Sequence, residues 1–302
     1  MSALTRPDLL DPHLVAQLGG IELVARGVVE GFLAGLHRSP YRGFSVEFAE
    51  HRPYQPGDEL RYLDWKMLAR SDRLFVKQYE EETNLRAMLV LDVSKSMDWS
   101  GDPGGRLTKR AYADRLVAAL GLVLLRQRDA TGLIAFADVV RAMLPARVRS
   151  GQWGELVRRL SAVSGGGGTA AEPALRRVTD LLRRRGLVVF VSDLLFDRDL
   201  ALLALRYLRH RGHQILVFHL MDPGEHALDG PAEARFEDPE TGVGVVARPR
   251  ELQRVYVETV RREVRAWELA CRRAGMAYHH VLTDTPFGHV LRRAVAARAR
   301  LG

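Results

Sequence analysis

Unbroken apolar runs alternate along this chain with stretches of helical periodicity. Ala87 to Leu91 and Leu187 to Val191 show no polar alternation, the pattern of strands buried on both faces of a parallel sheet. Further strands are predicted over Leu74 to Glu80, Gly132 to Ala137, Gln214 to Leu220 and Met276 to Leu282. Val139 to Leu144 is expected to fold back on its predecessor as an antiparallel edge. Helical spacing is read over Pro12 to Leu18, Ile21 to Leu36, Arg106 to Gln127, Gly151 to Val163, Ala171 to Arg185, Arg198 to Arg211, Leu252 to Ala274 and from Phe287 onward. Pro173 falls in a first helical turn, where its missing N–H costs nothing.

Strand and helix alternating in this way predict an α/β fold, a doubly wound and mostly parallel sheet with helices on both faces. Two segments depart from the rhythm. Residues 1–84 form an N-terminal extension in which helices give way to a loop-rich stretch punctuated by Pro40, Gly43, Pro53, Pro56 and Gly57. Residues 85–302 are the α/β domain, interrupted at about 222–249 by an expected hairpin whose extended pieces lie around Pro239 to Gly242.

The totals narrow the function classes. With 302 residues, 47% hydrophobic and 27% charged, the chain has ample material for a core. The net charge of +8 comes mainly from arginine, in clusters such as Arg183 to Arg185, Arg261 and Arg262, and Arg272 and Arg273, all on predicted helices. Interspersed acids and the lack of an aromatic-basic ladder argue against a nucleic-acid platform. Cys271 is the single cysteine, which excludes an internal disulfide, and its helical setting favours a packed thiol. Met1 to Val15 lacks the basic start and apolar centre of an export signal. The longest apolar run, Leu116 to Leu125, is ten residues long, against the roughly twenty of a spanning helix. A cytoplasmic protein is expected.

Candidate chemistry gathers at two strand ends. Asp92, Ser94 and Ser96 follow the first buried run at i, i+2, i+4, so one tight loop can aim three oxygens inward. Ligands of parallel sheets collect beyond the carboxyl ends of the strands. Gly165 to Thr169 reads Gly-Gly-Gly-Gly-Thr, and the run from Leu187 ends in Ser192 and Asp193. Hydroxyl and carboxylate oxygens suit a hard cation, magnesium first, with manganese and calcium as the other options.

This three-loop set resembles the metal-ion-dependent adhesion site of von Willebrand factor A domains. The resemblance implies that Ser94, Ser96 and Thr169 bind the ion, directly or through water, that Asp92 and Asp193 hold the coordinating waters, and that a partner's Asp or Glu completes the shell. Ahead of it stand Glu47-Phe48, Tyr54-Gln55-Pro56-Gly57-Asp58, Arg61-Tyr62-Leu63-Asp64-Trp65-Lys66 and Ala69-Arg70, and behind it Phe236 to Gly242 and Thr283 to Pro286. In these the chain resembles the bacterial family named domain of unknown function 58. That resemblance implies a partner among MoxR-type AAA+ ATPases, which remodel proteins or assist metal-centre assembly.

The expected function is therefore a non-enzymatic protein-binding module with a magnesium-bridged contact. Two alternatives stay open. A metal-dependent phosphohydrolase would use Asp92 as nucleophile, although Ser94 stands where haloacid dehalogenase-like enzymes carry a second acid. An arginine-rich nucleic-acid binder is the other. The glycine run is not a Walker loop, because a helix precedes it and no lysine ends it. His210 and His213 straddle a helix end, and His279 and His280, adjacent on a strand, point to opposite faces, so neither makes a metal pair. The Tyr54 to Lys66 cluster reads as packing, Glu80 to Glu82 as a solvated edge, and Lys95 as solvent-facing.

Overall fold

A computed structural model describes residues 20–37, 51–54, 68, 74–77, 85–102, 105–166, 171–228, 232–238 and 241–301. The expected helix at Pro12 to Leu18, the aromatic and charged cluster from Gln55 to Lys66, Glu80 to Glu82 and Thr169 lie outside them. In chain order the elements are α1 (Ile21–His37), β1 (His51–Pro53), β2 (Phe75–Lys77), β3 (Arg86–Asp92), a 3-10 turn (Lys95–Asp98), α2 (Lys109–Arg126), β4 (Ala130–Phe136), β5 (Val140–Arg147), α3 (Gln152–Ala162) and α4 (Ala171–Leu181). They continue as β6 (Leu187–Ser192), α5 (Arg198–His210), β7 (Gln214–Met221), α6 (Pro223–Ala227), β8 (Ala234–Glu237), β9 (Gly244–Ala247), α7 (Pro249–Arg273), β10 (Ala277–Leu282) and α8 (Phe287–Leu301).

Six strands form the central sheet in the order β10-β7-β6-β3-β4-β5. All its pairings are parallel except β4 with β5, the antiparallel edge expected from the sequence. The fold is thus α/β, with a mostly parallel sheet between two helical layers. Alternate side chains of each strand feed opposite cores, as the period of two requires. Leu89, Leu91, Val189 and Val191 join α1, α2, α3 and α8 on one face. Val90, Val188 and Phe190 join α4, α5 and α7 on the other.

Helix α1 packs into the first of these cores through Val24, Val28 and Phe32, and its Arg26 guanidinium lies 4.7 Å from the Trp153 ring centre on α3. Helix α2 runs between them. Its Thr108 cap accepts from the Ala111 N–H at 3.1 Å, and Tyr112 stacks on Phe287 of α8 at 4.5 Å.

Several boundaries differ from expectation for identifiable reasons. Helix α2 starts at Lys109 rather than Arg106, because Thr108 supplies the cap. Helix α4 stops at Leu181, so Arg183 to Arg185 form a loop instead of a last helical turn. Gly186 follows, where a Cβ would come within 2.1 Å of the Arg86 carbonyl, and the chain must already be extended there to pair with β3. Strand β5 runs to Arg147, three residues further than expected, past an irregularity opposite Gly132. The insertion contains a short helix, α6, not foreseen, while its strands, Ala234–Glu237 and Gly244–Ala247, pair as the hairpin expected around Pro239 to Gly242.

Candidate functional site at the carboxyl edge of the sheet

Strands β3 and β6 are adjacent and parallel, so Asp92 and the Ser192-Asp193 pair emerge side by side. The β3 chain turns at once. Val93 donates its N–H to the Phe136 carbonyl at 2.7 Å, the last rung toward β4. Ser94 then caps the 3-10 turn, and the Ser94 N–H donates to Asp92 Oδ1 at 3.0 Å. The other Asp92 oxygen accepts from Ser192 Oγ at 2.6 Å, and that same Oγ accepts the Leu194 N–H at 2.9 Å. One serine therefore ties the two strand ends together. Leu194 takes a left-handed φ of 57°, which bends the β6 exit across the edge.

The Ser94 and Ser96 hydroxyl oxygens lie 3.0 Å apart, and Asp92, Ser94, Ser96 and Asp193 are all buried, while Lys95 between the serines is exposed as expected. The glycine loop comes to the same place. The Gly166 N–H donates to the Val93 carbonyl at 3.1 Å. At Gly165 a Cβ would fall 2.4 Å from an Asp98 carboxylate oxygen, so this loop runs close against the Asp98 side chain. Four of the five residues singled out in the sequence, Asp92, Ser94, Ser96 and Asp193, thus share one edge, and the loop leading to Thr169 is anchored beside them.

Sequence reasoning missed the cation already there. Lys109, in the first turn of α2, is fully buried and donates to Asp193 Oδ2 at 2.8 Å and to Glu225 Oε1 at 2.5 Å. Burial pulls the pKa of this ammonium down, but the two carboxylates push it up further, and the net direction is up. Glu225 is held by a capping box, its Oε2 accepting the Asp222 N–H while Asp222 caps α6. Asp222, at the end of β7, also takes a hydrogen bond from Thr283 at 3.3 Å and faces Arg106 at 3.5 Å. A signal for Lys109 was present: a cation in a first helical turn opposes the macrodipole and calls for a carboxylate nearby.

The electrostatics follow from this crowding. Burial, then the charge of Asp193, push the Asp92 carboxyl up to about 6, against the hydrogen bonds from Ser192 and Ser94 that favour its charged form. A cleft of about 470 Å3 opens beside Lys109, Asp193 and Glu225, walled by Tyr256 and Trp267 of α7 and floored by His219. His219 hydrogen-bonds Tyr278 at 2.7 Å, and burial followed by the neighbouring His280 lowers its pKa to about 3. His279 instead lies against Phe218 on the other face, as strand alternation requires.

The donor chemistry can be tested against a metal. Octahedral magnesium at about 2.1 Å from its ligands sets neighbouring oxygens about 3.0 Å apart, and calcium at about 2.4 Å with six to eight ligands sets them about 2.8–3.4 Å apart. The Ser94 and Ser96 hydroxyls hydrogen-bond one another at 3.0 Å, a separation that either ion accommodates. Among the described residues no group of three or more His, Cys, Asp and Glu side chains converges as a metal site.

Similarity to known proteins extends beyond this edge. The family model described as protein of unknown function DUF58 matches residues 50–266. The uncharacterized proteins Rv1480 of Mycobacterium tuberculosis and Mb1516 of Mycobacterium bovis are each 30% identical to this chain over 251 residues, covering 80% of it and 75% of themselves. Among solved structures, the conserved hypothetical protein BatB from Bacteroides thetaiotaomicron aligns at 17% identity with a TM-score of 0.45, over 72% of this chain and 99% of its own. An aerotolerance-related membrane protein from Bacteroides fragilis aligns at 16% identity with a TM-score of 0.46, over 71% and 99%. No helix among the described residues is long and apolar enough to cross a membrane.

Proposed function

From the premise that the chain belongs to the DUF58 family, whose description assigns no activity, we propose that the carboxyl edge of its sheet is a docking site of the von Willebrand factor A type, where a divalent ion bridges to a partner protein's carboxylate. The observation that supports it best is the meeting of Asp92, Ser94, Ser96 and Asp193 at one sheet edge, with the two hydroxyls hydrogen-bonded to each other at 3.0 Å. Ser94 and Ser96 would hold the ion directly, with Thr169 as the third ligand that the family resemblance implies. Asp92 and Asp193 have their oxygens engaged by Ser94, Ser192, Leu195 and Lys109, which suits them to orient waters rather than bind. The bound ion supplies a Lewis-acidic position that attracts an external carboxylate. Lys109 strengthens that preference, because it offsets the charge of Asp193 and leaves the ion poorly compensated by the protein's own acids.

The partner implied is a protein with an accessible Asp or Glu, presented with or by a MoxR-type ATPase, in the cytoplasm. The buried lysine favours a second reading, metal-dependent phosphohydrolysis, since a lysine beside a strand-end aspartate could steady a phosphoryl group. Asp92 is ill suited to it: the carboxylate is about 1% exposed and both oxygens are bonded internally.

Thermal unfolding with MgCl2 and with EDTA tests the docking reading. Magnesium at about a hundredfold over its dissociation constant stabilises the wild type by about 2.7 kcal/mol, and Ser94→Ala/Ser96→Ala abolishes the response. Partners captured from a lysate should leave with EDTA. A wild type indifferent to magnesium and manganese, or capture unchanged by chelator, would sink the reading; phosphatase turnover lost in Asp92→Asn would favour the other.

A further inference from the structure

The opposite end of the same sheet has a different chemistry. Strands β6, β7 and β10 are neighbours, and the turn into each carries arginines, in the last turn of the preceding helix or just beyond it. These are Arg183 to Arg185 ahead of β6, Arg209 and Arg211 ahead of β7, and Arg272 and Arg273 ahead of β10. The loops 182–186, 209–214 and 272–276 contain no Asp or Glu. Clusters that are far apart in sequence thus converge on one amino edge, across two inter-strand spacings or about 10 Å. The interspersed acids that argued against a polyanion partner at the level of the whole chain are absent from these three segments.

The loops are also fixed to one another. Arg211 donates to the Arg183 carbonyl at 3.2 Å, and Arg209 donates to the Gly275 carbonyl at 3.2 Å, so guanidinium groups stitch the three turns into one surface. Among the described residues none of the seven has a carboxylate in ion-pair reach, whereas Arg158, Arg159, Arg198 and Arg265, elsewhere on the helices, each pair with a glutamate. A cleft of about 380 Å3 between α5 and the α7 turn is lined by Arg206, Arg209, His210 and Arg273. The exposed Tyr207 ring lies 5.7 Å below the Arg211 guanidinium.

We propose that this amino edge binds the phosphate backbone of a nucleic acid, without base selectivity. Planar guanidinium forks match phosphate oxygens two at a time, and the cluster is all arginine with no lysine. Rigidly spaced cations suit a polymer of regularly spaced anions. A membrane surface fits less well, because the apolar residues of these loops, Leu182 and Met276, are buried and leave nothing to insert between lipids. Capping of helix carboxyl ends accounts for one cation per helix within its last turn, but Arg184 and Arg185 lie beyond the end of α4.

The test is fluorescence anisotropy of the full chain with a labelled single-stranded DNA 20-mer from 50 to 200 mM NaCl. With four or five phosphates engaged, log K falls against log salt with a slope of about −3. Arg183→Gln/Arg184→Gln/Arg185→Gln and Arg272→Gln/Arg273→Gln each weaken binding about tenfold or more and flatten the slope by about one or more, at unchanged circular dichroism. Arg158→Gln/Arg159→Gln and EDTA leave it unchanged, which separates this edge from the metal-docking edge. No binding at 50 mM NaCl, equal loss in the Arg158/Arg159 control, or displacement of the DNA by phosphatidylserine vesicles or polyglutamate at equal charge would overturn the proposal.

Discussion

Replacing Lys109 by methionine removes the cation that faces Asp193 and Glu225. The side chain is fully buried, Asp193 is 3% exposed and Glu225 20%, and both carboxylates point at the vacated ammonium. Methionine fills most of the volume, so the loss is mainly electrostatic: two buried carboxylates face each other uncompensated. Breaking a buried ion pair from one side costs about 3–5 kcal/mol, a large part of the roughly 5–15 kcal/mol that holds a domain folded. Urea unfolding followed by tryptophan fluorescence should show the midpoint falling by about 1–2 M at unchanged slope. Lys109→Met/Asp193→Asn/Glu225→Gln should recover most of the loss, because a neutral set of similar shape is nearly equivalent to a satisfied ionic one. The pH dependence has a definite sign. In the single variant Glu225, raised by burial and no longer held down by the Lys109 charge, keeps a folded pKa above its unfolded one, so the penalty is full at pH 8 and shrinks as pH falls through that folded value. A variant within about 1 kcal/mol of wild type at pH 8 would refute the assignment of Lys109 as the internal counter-charge.

Other outcomes follow from single features. Gly132→Ala places a methyl 2.5 Å from the Leu144 carbonyl and 2.6 Å from the Ala146 nitrogen, both backbone; chemical denaturation should register a loss of about 1–3 kcal/mol, and an unchanged midpoint would contradict the β4–β5 register. Burial, reinforced by His280 and His226 respectively, lowers His219 to about 3 and His280 to about 4. The unfolded chain therefore takes up protons first, and these rings cost stability progressively as pH falls from about 6.5 toward 4; an NMR titration should find both neutral at pH 5.5. Asp92 and Asp114, pushed up to about 6 mainly by burial, act in the opposite sense, favouring the folded state as pH falls from about 6 to 4. Asp92→Asn should accordingly flatten the rise in stability over that interval in pH-dependent denaturation, and an unaltered profile would exclude the raised carboxyl.

How much of this was legible in the sequence depends on the range of the interaction. Leu187 to Val191 announces a doubly buried strand by itself, and so Asp193 can be placed at its carboxyl end. Asp92, Ser94 and Ser96 were readable because their geometry is local, set by one turn. The Lys109 contacts, by contrast, join it to Asp193 and Glu225, 84 and 116 residues away, and nothing in periodicity reports such a distance. The end of α4 was misplaced for a related reason. Arginine is a good helix former, so Arg183 to Arg185 extend the helical pattern, but the chain must be extended by Gly186 to pair with Arg86 to Asp92. Tertiary pairing overrides local preference there, and it delivers three exposed arginines to a loop.

The antiparallel strand β5 sets a limit on how this molecule can assemble. Pro145 interrupts its run of backbone donors, the pairing with β4 slips beside it, and Arg141 and Arg147 flank the irregularity, both exposed. An incoming strand from another copy would meet a missing N–H, a twist and repelling charge. Strand exchange and fibre-like stacking are disfavoured along that border, so edge-to-edge growth of this sheet would have to use its other edge strand, β10.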